Sequence, residues 1–124
     1  MIKYIITICV LLVTQIHGQE GYSQQIYHVE ENYKGSVPKI INVYHKVGPK
    51  IISYKRQEYH RNGQQRSEVE YKSIFKGFNF EKTGIETSWY EDGQKERKGT
   101  WKDGGRDGLW TEWYEDGQKW KEET

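Results

Sequence analysis

The length of 124 residues suits one small domain, and a formal net charge of +1 gives no overall electrostatic reason to bind nucleic acid. Beyond residue 18 the hydrophobic residues are 17 aromatics and 13 aliphatics, twelve of them Ile or Val, and Ala is absent from the sequence. Because β-branched and aromatic residues favour strands and the best helix formers are nearly missing, this composition excludes a helical bundle and indicates an all-β fold.

The first 18 residues predict a secretory signal peptide. Lys3 precedes an apolar run from Ile5 to Val13, and Gly18 offers a small residue at a cleavage point before Gln19. We therefore expect the protein to be secreted, or to reside in the periplasm or cell envelope. Membrane contact is expected only through this transient segment.

Two segments of different composition follow the predicted signal peptide. Residues 19–36 are polar and predict a flexible N-terminal segment. Residues 37–60 predict an N-terminal β cap, in which two Ile-rich strands flank the turn Val47-Gly48-Pro49-Lys50. Nine of the thirteen aliphatics lie between Ile26 and Ile52, so we expect the aliphatic core here, closing one end of a repeat array.

Residues 61–124 are repetitive. The string Trp89–Lys95 returns unchanged as Trp113–Lys119, at a spacing of 24 residues. A degenerate copy, Tyr59–Gln64, stands 30 residues before the first string. Compared with the 24-residue spacing, about six extra residues are expected, near Phe75–Phe78. The pattern predicts β-hairpin repeats in an antiparallel meander, forming a single-layer sheet or a short solenoid.

Each expected hairpin carries an Asn-Gly or Asp-Gly pair. Such pairs accept positive φ at both centres of a type I′ turn, whose twist matches that of the flanking strands. The predicted structural turns are Asn62-Gly63, Asp92-Gly93, Asp103-Gly104, Asp107-Gly108 and Asp116-Gly117.

The string from Gly108 to Lys119 resembles the bacterial variant of the MORN repeat, whose units run roughly Gly-x-Trp-x-x-x-Tyr-x-x-Gly before a polar strand. The stretch from Gly84 to Lys95 resembles it too, although Glu86 stands where the family places its first aromatic. The resemblance spans about residues 54–124 and implies a run of β-hairpins with a weakened middle unit. Repeats of this type are often labelled as the YwqK-family antitoxin of toxin-antitoxin systems, an association at the level of the family.

Catalytic and metal sites have little support in the sequence. His28, His45 and His60 are spaced 17 and 15 residues apart, and no Cys beyond residue 18 completes a zinc set. The repeated Glu-Asp pairs belong to the repeat unit and need no acid/base role. We expect no enzymatic activity, no metal and no cofactor.

The aromatic residues are the remaining functional candidates, because all five tryptophans lie after residue 88. The candidate partner-binding residues are Trp89, Tyr90, Trp101, Trp113 and Trp120. Aromatics at repeat positions usually form the stacking core of a β-repeat, but Trp120 is an exception because its repeat equivalent is Glu96.

The sequence favours an exported, non-enzymatic scaffold that binds another protein or an envelope component. One alternative is a carbohydrate or cell-wall binding module that uses the Trp/Tyr stripe, which would need two or three coplanar exposed rings. Another is an antitoxin-like partner that neutralises a toxin.

Overall fold

The computed structural model describes residues 7–8, 23–34, 37–75 and 79–124. Its strands are β1 (Thr7–Ile8), β2 (Ser23–Asn32), β3 (Pro38–Val47), β4 (Lys50–Tyr59), β5 (Gln65–Phe75), β6 (Asn79–Trp89), β7 (Lys95–Lys102), β8 (Gly105–Trp113) and β9 (Lys119–Glu123). They lie in one sheet in sequence order, each antiparallel to the next. The two-residue β1 apart, eight strands form a single-layer meander that is not closed, which confirms the predicted all-β hairpin architecture.

The structure describes only part of the N-terminal region. The predicted signal peptide lies outside the described residues except for Thr7–Ile8, where Ile8 pairs with Tyr27. Across the described ranges, no helical segment has the length and hydropathy that a membrane crossing requires.

Strand β2 passes through the segment predicted to be flexible. It pairs with β3 from Ser23 opposite Val47 to Asn32 opposite Pro38. Its polar side chains fit because a single-layer sheet leaves both faces close to water: the Glu30 carboxylate, for example, accepts from Arg56 Nη1 at 2.8 Å. Residues 23–32 therefore belong to the sheet, and their polarity does not prevent backbone pairing.

The loops at one end of the sheet close in the same way. The N–H of the first loop residue donates to the carbonyl four residues later, at 2.8 Å from His60 to Gln64 and 2.9 Å from Tyr90 to Gln94. Tyr33 and Tyr114 make the same bond to Val37 and Gln118. Successive hairpins thus present equivalent loops along one edge of the molecule.

The predicted type I′ geometry is wrong for three of these loops. Gly63, Gly93 and Gly117 have φ of +86°, +87° and +82°, but the Asn or Asp before each has no positive φ. Each loop is a type I turn followed by a left-handed glycine, the common three-residue hairpin connection. The side-chain Oδ1 of the preceding residue instead accepts a backbone N–H two residues on, at 2.9 Å, in Asn62, Asp92 and Asp116.

The other two pairs differ from each other. Asp103 and Gly104 have φ of +49° and +77° between the paired residues Lys102 and Gly105, which is the predicted type I′ hairpin. Asp107-Gly108 lies inside β8 and is not a turn. Lys98 pairs with Thr111 and Thr100 pairs with Asp107, so β8 advances four residues while β7 advances two. Gly108, with φ of +65°, belongs to this bulge.

One face of the sheet holds most of the buried side chains, and we call it the inner face. Directly paired residues share a face, so the row Asn42, Arg56, Val69 and the row Ser88, Arg97, Glu112 define it. Among the residues whose burial the structure describes, the buried hydrophobic ones are Ile40, Val69 and Trp110. They are spread along the sheet, so the aliphatic core predicted for the N-terminal cap is not concentrated there.

Candidate functional site

Glu86 and Trp110 hold the same position, 24 residues apart, in two successive repeats: the second repeat contains the string Trp89–Lys95 and the third contains Trp113–Lys119. Both residues lie on the inner face. The indole of Trp110 is 2% exposed and lies against Gly99, where an added Cβ would approach the ring to 2.1 Å. The Arg106 guanidinium lies 4.4 Å from a ring centroid of Trp110, a cation–π contact. The third repeat therefore packs an indole between a glycine and an arginine.

In the second repeat a carboxylate replaces that indole. Glu86 is 6% exposed and accepts from Lys82 Nζ at 2.9 Å, Arg97 Nη2 at 2.7 Å and Trp101 Nε1 at 2.7 Å. Burial raises the pKa of Glu86, but the three donors together outweigh it and hold the pKa below its ordinary value. Ion pairs thus replace the missing aromatic, and Glu86 has a full set of partners.

A cavity of about 410 Å³ opens beside Glu86 on the inner face. Strand β6 of the second repeat has a bulge like that of β8, because the four residue steps from Thr83 to Thr87 face the two from Glu68 to Glu70. Val69 lies opposite this bulge, as Gly99 lies opposite the β8 bulge of the third repeat. Lys82 likewise holds the position of Arg106. The counterparts of Trp110 and of its neighbours Gly99 and Arg106, namely Glu86, Val69 and Lys82, therefore all line the cavity.

Charged side chains of both signs line this cavity. Four are basic and four are acidic: Arg56, Arg66, Lys82, Arg97, Glu58, Glu86, Glu96 and Glu112. Arg56 bonds to Glu30 and Glu58 at 2.8 and 3.2 Å. Arg66, Glu96 and Glu112 make no ion pair or hydrogen bond within the part of the chain that the structure describes. The cavity rim thus offers three charges to a bound molecule.

The structure does not bring the predicted aromatic residues together in one stripe. Trp101 lies on the inner face, where its ring meets Trp110 edge-on, at 5.3 Å and 83°. Trp89 and Trp113 follow inner-face residues by one position and so lie on the outer face, both half-buried. Tyr90 begins a loop.

Tyr90 belongs to a ladder that ties neighbouring hairpins together. Its hydroxyl donates to the Trp113 carbonyl at 2.7 Å. Its repeat equivalent His60 places Nε2 2.8 Å from the Trp89 carbonyl; a carbonyl only accepts, so Nε2 carries the proton. Tyr33 donates to the Tyr59 carbonyl at 3.0 Å in the same way. The degenerate copy Tyr59–Gln64 indicates the repeat position of His60, but no sequence signal identified the Trp89 carbonyl as its partner.

Trp120 stands apart from the other tryptophans. Glu112 pairs with Lys121 and Trp113 with Lys119, so Trp120 is the extra residue of a bulge. Its ring is 50% exposed and lies 6.0 Å from that of Tyr114, inclined at 37°. The bulge explains why an aromatic is not required at the equivalent Glu96.

Comparison with known families matches three segments of the chain, residues 55–73, 82–103 and 106–124, to the MORN repeat variant. The chain carries MORN-variant repeats. Each match includes one of the three-residue loops described above, and the first begins inside β4, within the segment predicted as a cap. No curated protein and no solved structure matches the chain.

The MORN repeats hold no arrangement suited to a metal ion in the described ranges, where no group of three or more His, Cys, Asp or Glu converges. What the inner face offers is a polar cavity with charges on its rim.

Proposed function

We propose that this protein is an exported, non-enzymatic scaffold that binds another protein through the inner face of its MORN repeats. The observation that carries the proposal is the cavity beside Glu86, lined by Arg66, Glu96 and Glu112, which make no ion pair or hydrogen bond to any residue that the structure describes. These residues come from β5, β7 and β8, so a partner would engage several hairpins at once. Charges of both signs favour orientation of a specific partner over non-specific attraction.

The arrangement of the rings favours a protein partner over a carbohydrate. A sugar-binding stripe needs coplanar exposed rings, whereas Trp101 and Trp110 are nearly perpendicular and Trp110 is buried. The exposed pair Tyr114 and Trp120 is inclined at 37°. The carbohydrate module and the antitoxin-like role are retained only as alternative outcomes of the experiments below.

Export is tested by the N-terminus of the protein as the cell makes it. A C-terminally tagged full-length chain should be found outside the cytoplasm and should begin near Gln19, because Lys3, the apolar run and Gly18 fit signal processing. A cytoplasmic chain with an intact Met1 would refute export and would favour the antitoxin-like alternative.

Binding is tested by comparing the two faces of the sheet. The inner-face variant is Arg66→Ala/Glu112→Ala, and the matched outer-face control is Lys98→Ala/Glu70→Ala, which also removes one charge of each sign. A partner crosslinked to the wild-type chain in the envelope fraction should be lost with the inner-face variant and kept with the control. Loss with the control alone would place the binding surface on the outer face.

A further inference from the structure

We infer that the cavity beside Glu86 binds an aromatic side chain, Trp or Tyr, of the partner protein. This inference rests on the proposed function and names the chemistry of its binding site. The occupant is identified by the repeat itself, since the next unit shows which group fills this position.

Two residues beside the cavity correspond to neighbours of Trp110. Lys82 holds the position of Arg106, whose guanidinium lies 4.4 Å from the Trp110 ring centroid. Tyr71 pairs with Lys82 across β5 and β6, just as Trp101 pairs with Arg106 across β7 and β8. A ring entering the cavity would therefore meet a cation and an aromatic neighbour, the two contacts that Trp110 makes.

Arg97 connects the two positions. Its Nη2 lies 2.7 Å from Glu86, and its guanidinium carbon lies 5.7 Å from the Trp110 ring centroid. Arg97 also lines the cavity. A planar guanidinium held by a carboxylate is well suited to stack on a second ring.

Val69 explains why the chain does not fill this space itself. At Gly99 an added Cβ would approach the Trp110 ring to 2.1 Å, so a residue with a side chain there excludes an indole lying flat on the strand. Val69 has such a side chain and is 6% exposed. It gives the cavity an apolar floor, above which a ring from another molecule can pack.

The charge balance of the lining favours a ring over a free ion. Four basic and four acidic side chains give no net charge, so neither an anion nor a cation gains from the overall field. Glu86, the most buried of the eight, already accepts from three donors. An aromatic ring needs no counter-charge and benefits from the basic groups around it.

The first experiment uses small probes with the full mature chain. N-acetyl-L-tryptophanamide, N-acetyl-L-leucinamide and sodium phosphate are titrated while the Val69 methyl resonances are followed by NMR. We expect the tryptophan amide to shift these methyls and to bind about tenfold more tightly than the leucine amide, as cation–π and ring contacts imply. Equal binding of the two amides, a methyl response to phosphate alone, or no response at all would overturn the inference.

The second experiment fills the cavity from within. The double variant Val69→Gly/Glu86→Trp restores the glycine and indole of the third repeat, and saturation-transfer NMR on the tryptophan amide should lose its signal. Lys98→Trp on the outer face adds the same ring elsewhere and should leave the signal unchanged. Unchanged binding to a folded double variant would overturn the inference; if the double variant does not fold, the Val69 titration of the wild-type chain decides.

The experiments can refute the proposed function and the binding of an aromatic side chain independently of each other. If the probes do not bind but the crosslinked partner still depends on Arg66 and Glu112, the inner face binds protein without an aromatic anchor. If the tryptophan amide binds the cavity but no partner depends on the inner face, the site exists and the proposed function is wrong.

Discussion

The carboxylate of Glu86 and the indole of Trp110 occupy equivalent repeat positions, and Arg97 touches both. Its Nη2 is 2.7 Å from Glu86 Oε1, and its guanidinium carbon is 5.7 Å from the Trp110 ring centroid. One arginine thus joins an ion-pair network in the second repeat to a packed ring in the third. The two repeats solve the same packing problem by different chemistry.

Neutralising Glu86 should destabilise the protein. Glu86→Gln leaves Lys82 and Arg97 without their shared carboxylate, at a cost of about 2 kcal/mol, since both cations retain access to water. Denaturant unfolding at pH 7 measures this difference. An unchanged unfolding midpoint would contradict the assigned network.

The Glu86 contribution should also depend on pH. The folded-state pKa of Glu86 lies below its ordinary value of 4.5, so its stabilisation is fully present above the unfolded pKa and is lost as pH falls through the folded pKa. The stability gap between wild type and Glu86→Gln should therefore be constant near neutral pH and should shrink below about pH 4.5. A gap that widens on acidification would reverse the sign of the assigned shift.

The two tryptophans at the C-terminal end should differ sharply in their effect on stability. Trp110→Ala removes a ring that is 2% exposed and should cost about 3 to 5 kcal/mol, much of a small domain's stability. Trp120→Ala removes a ring that is 50% exposed and should cost less than about 1 kcal/mol. Thermal melts followed by circular dichroism compare the two variants, and the reverse order would mean that the inner face is misassigned.

The Tyr90 hydrogen bond in the ladder between neighbouring hairpins has a matched control within the chain. Tyr90→Phe removes the 2.7 Å hydrogen bond to the Trp113 carbonyl and should cost about 1 kcal/mol. Tyr114→Phe alters the repeat-equivalent hydroxyl, which has no hydrogen bond to any described residue, and should be neutral. Equal effects of the two substitutions on the free energy of unfolding would argue against the ladder.

The loop geometry predicts unequal costs at adjacent residues. Gly117, with φ of +82°, should not tolerate a β-branched residue, so Gly117→Val should cost more than about 1 kcal/mol. Asp116 has no positive φ, so Asp116→Ala should lose only its bond to the Gln118 N–H, about 1 kcal/mol or less. Insensitivity of the melting temperature to Gly117→Val would contradict the left-handed glycine.

The fold class and the positions of most hairpins follow from local features of the sequence. An exact seven-residue repeat, Asn-Gly and Asp-Gly pairs, and a lack of helix formers all depend on local backbone preferences, which are readable without tertiary contacts. The six extra residues of the first repeat unit were also predictable, and they lengthen β5 and β6 relative to β7 and β8.

The turn types and the cavity depend on strand register and on contacts between strands. The same Asp-Gly pair forms a type I′ turn at Asp103 and a type I turn with a left-handed glycine at Asp116, because strand register fixes the loop length. The strand register also places Val69 and Gly99 opposite the bulges at Gly84 and Gly108. Glu86 looked like a defect in a repeat consensus, but Lys82, Arg97 and Trp101 converge on it from two strands, and such convergence of partners is not encoded in local sequence.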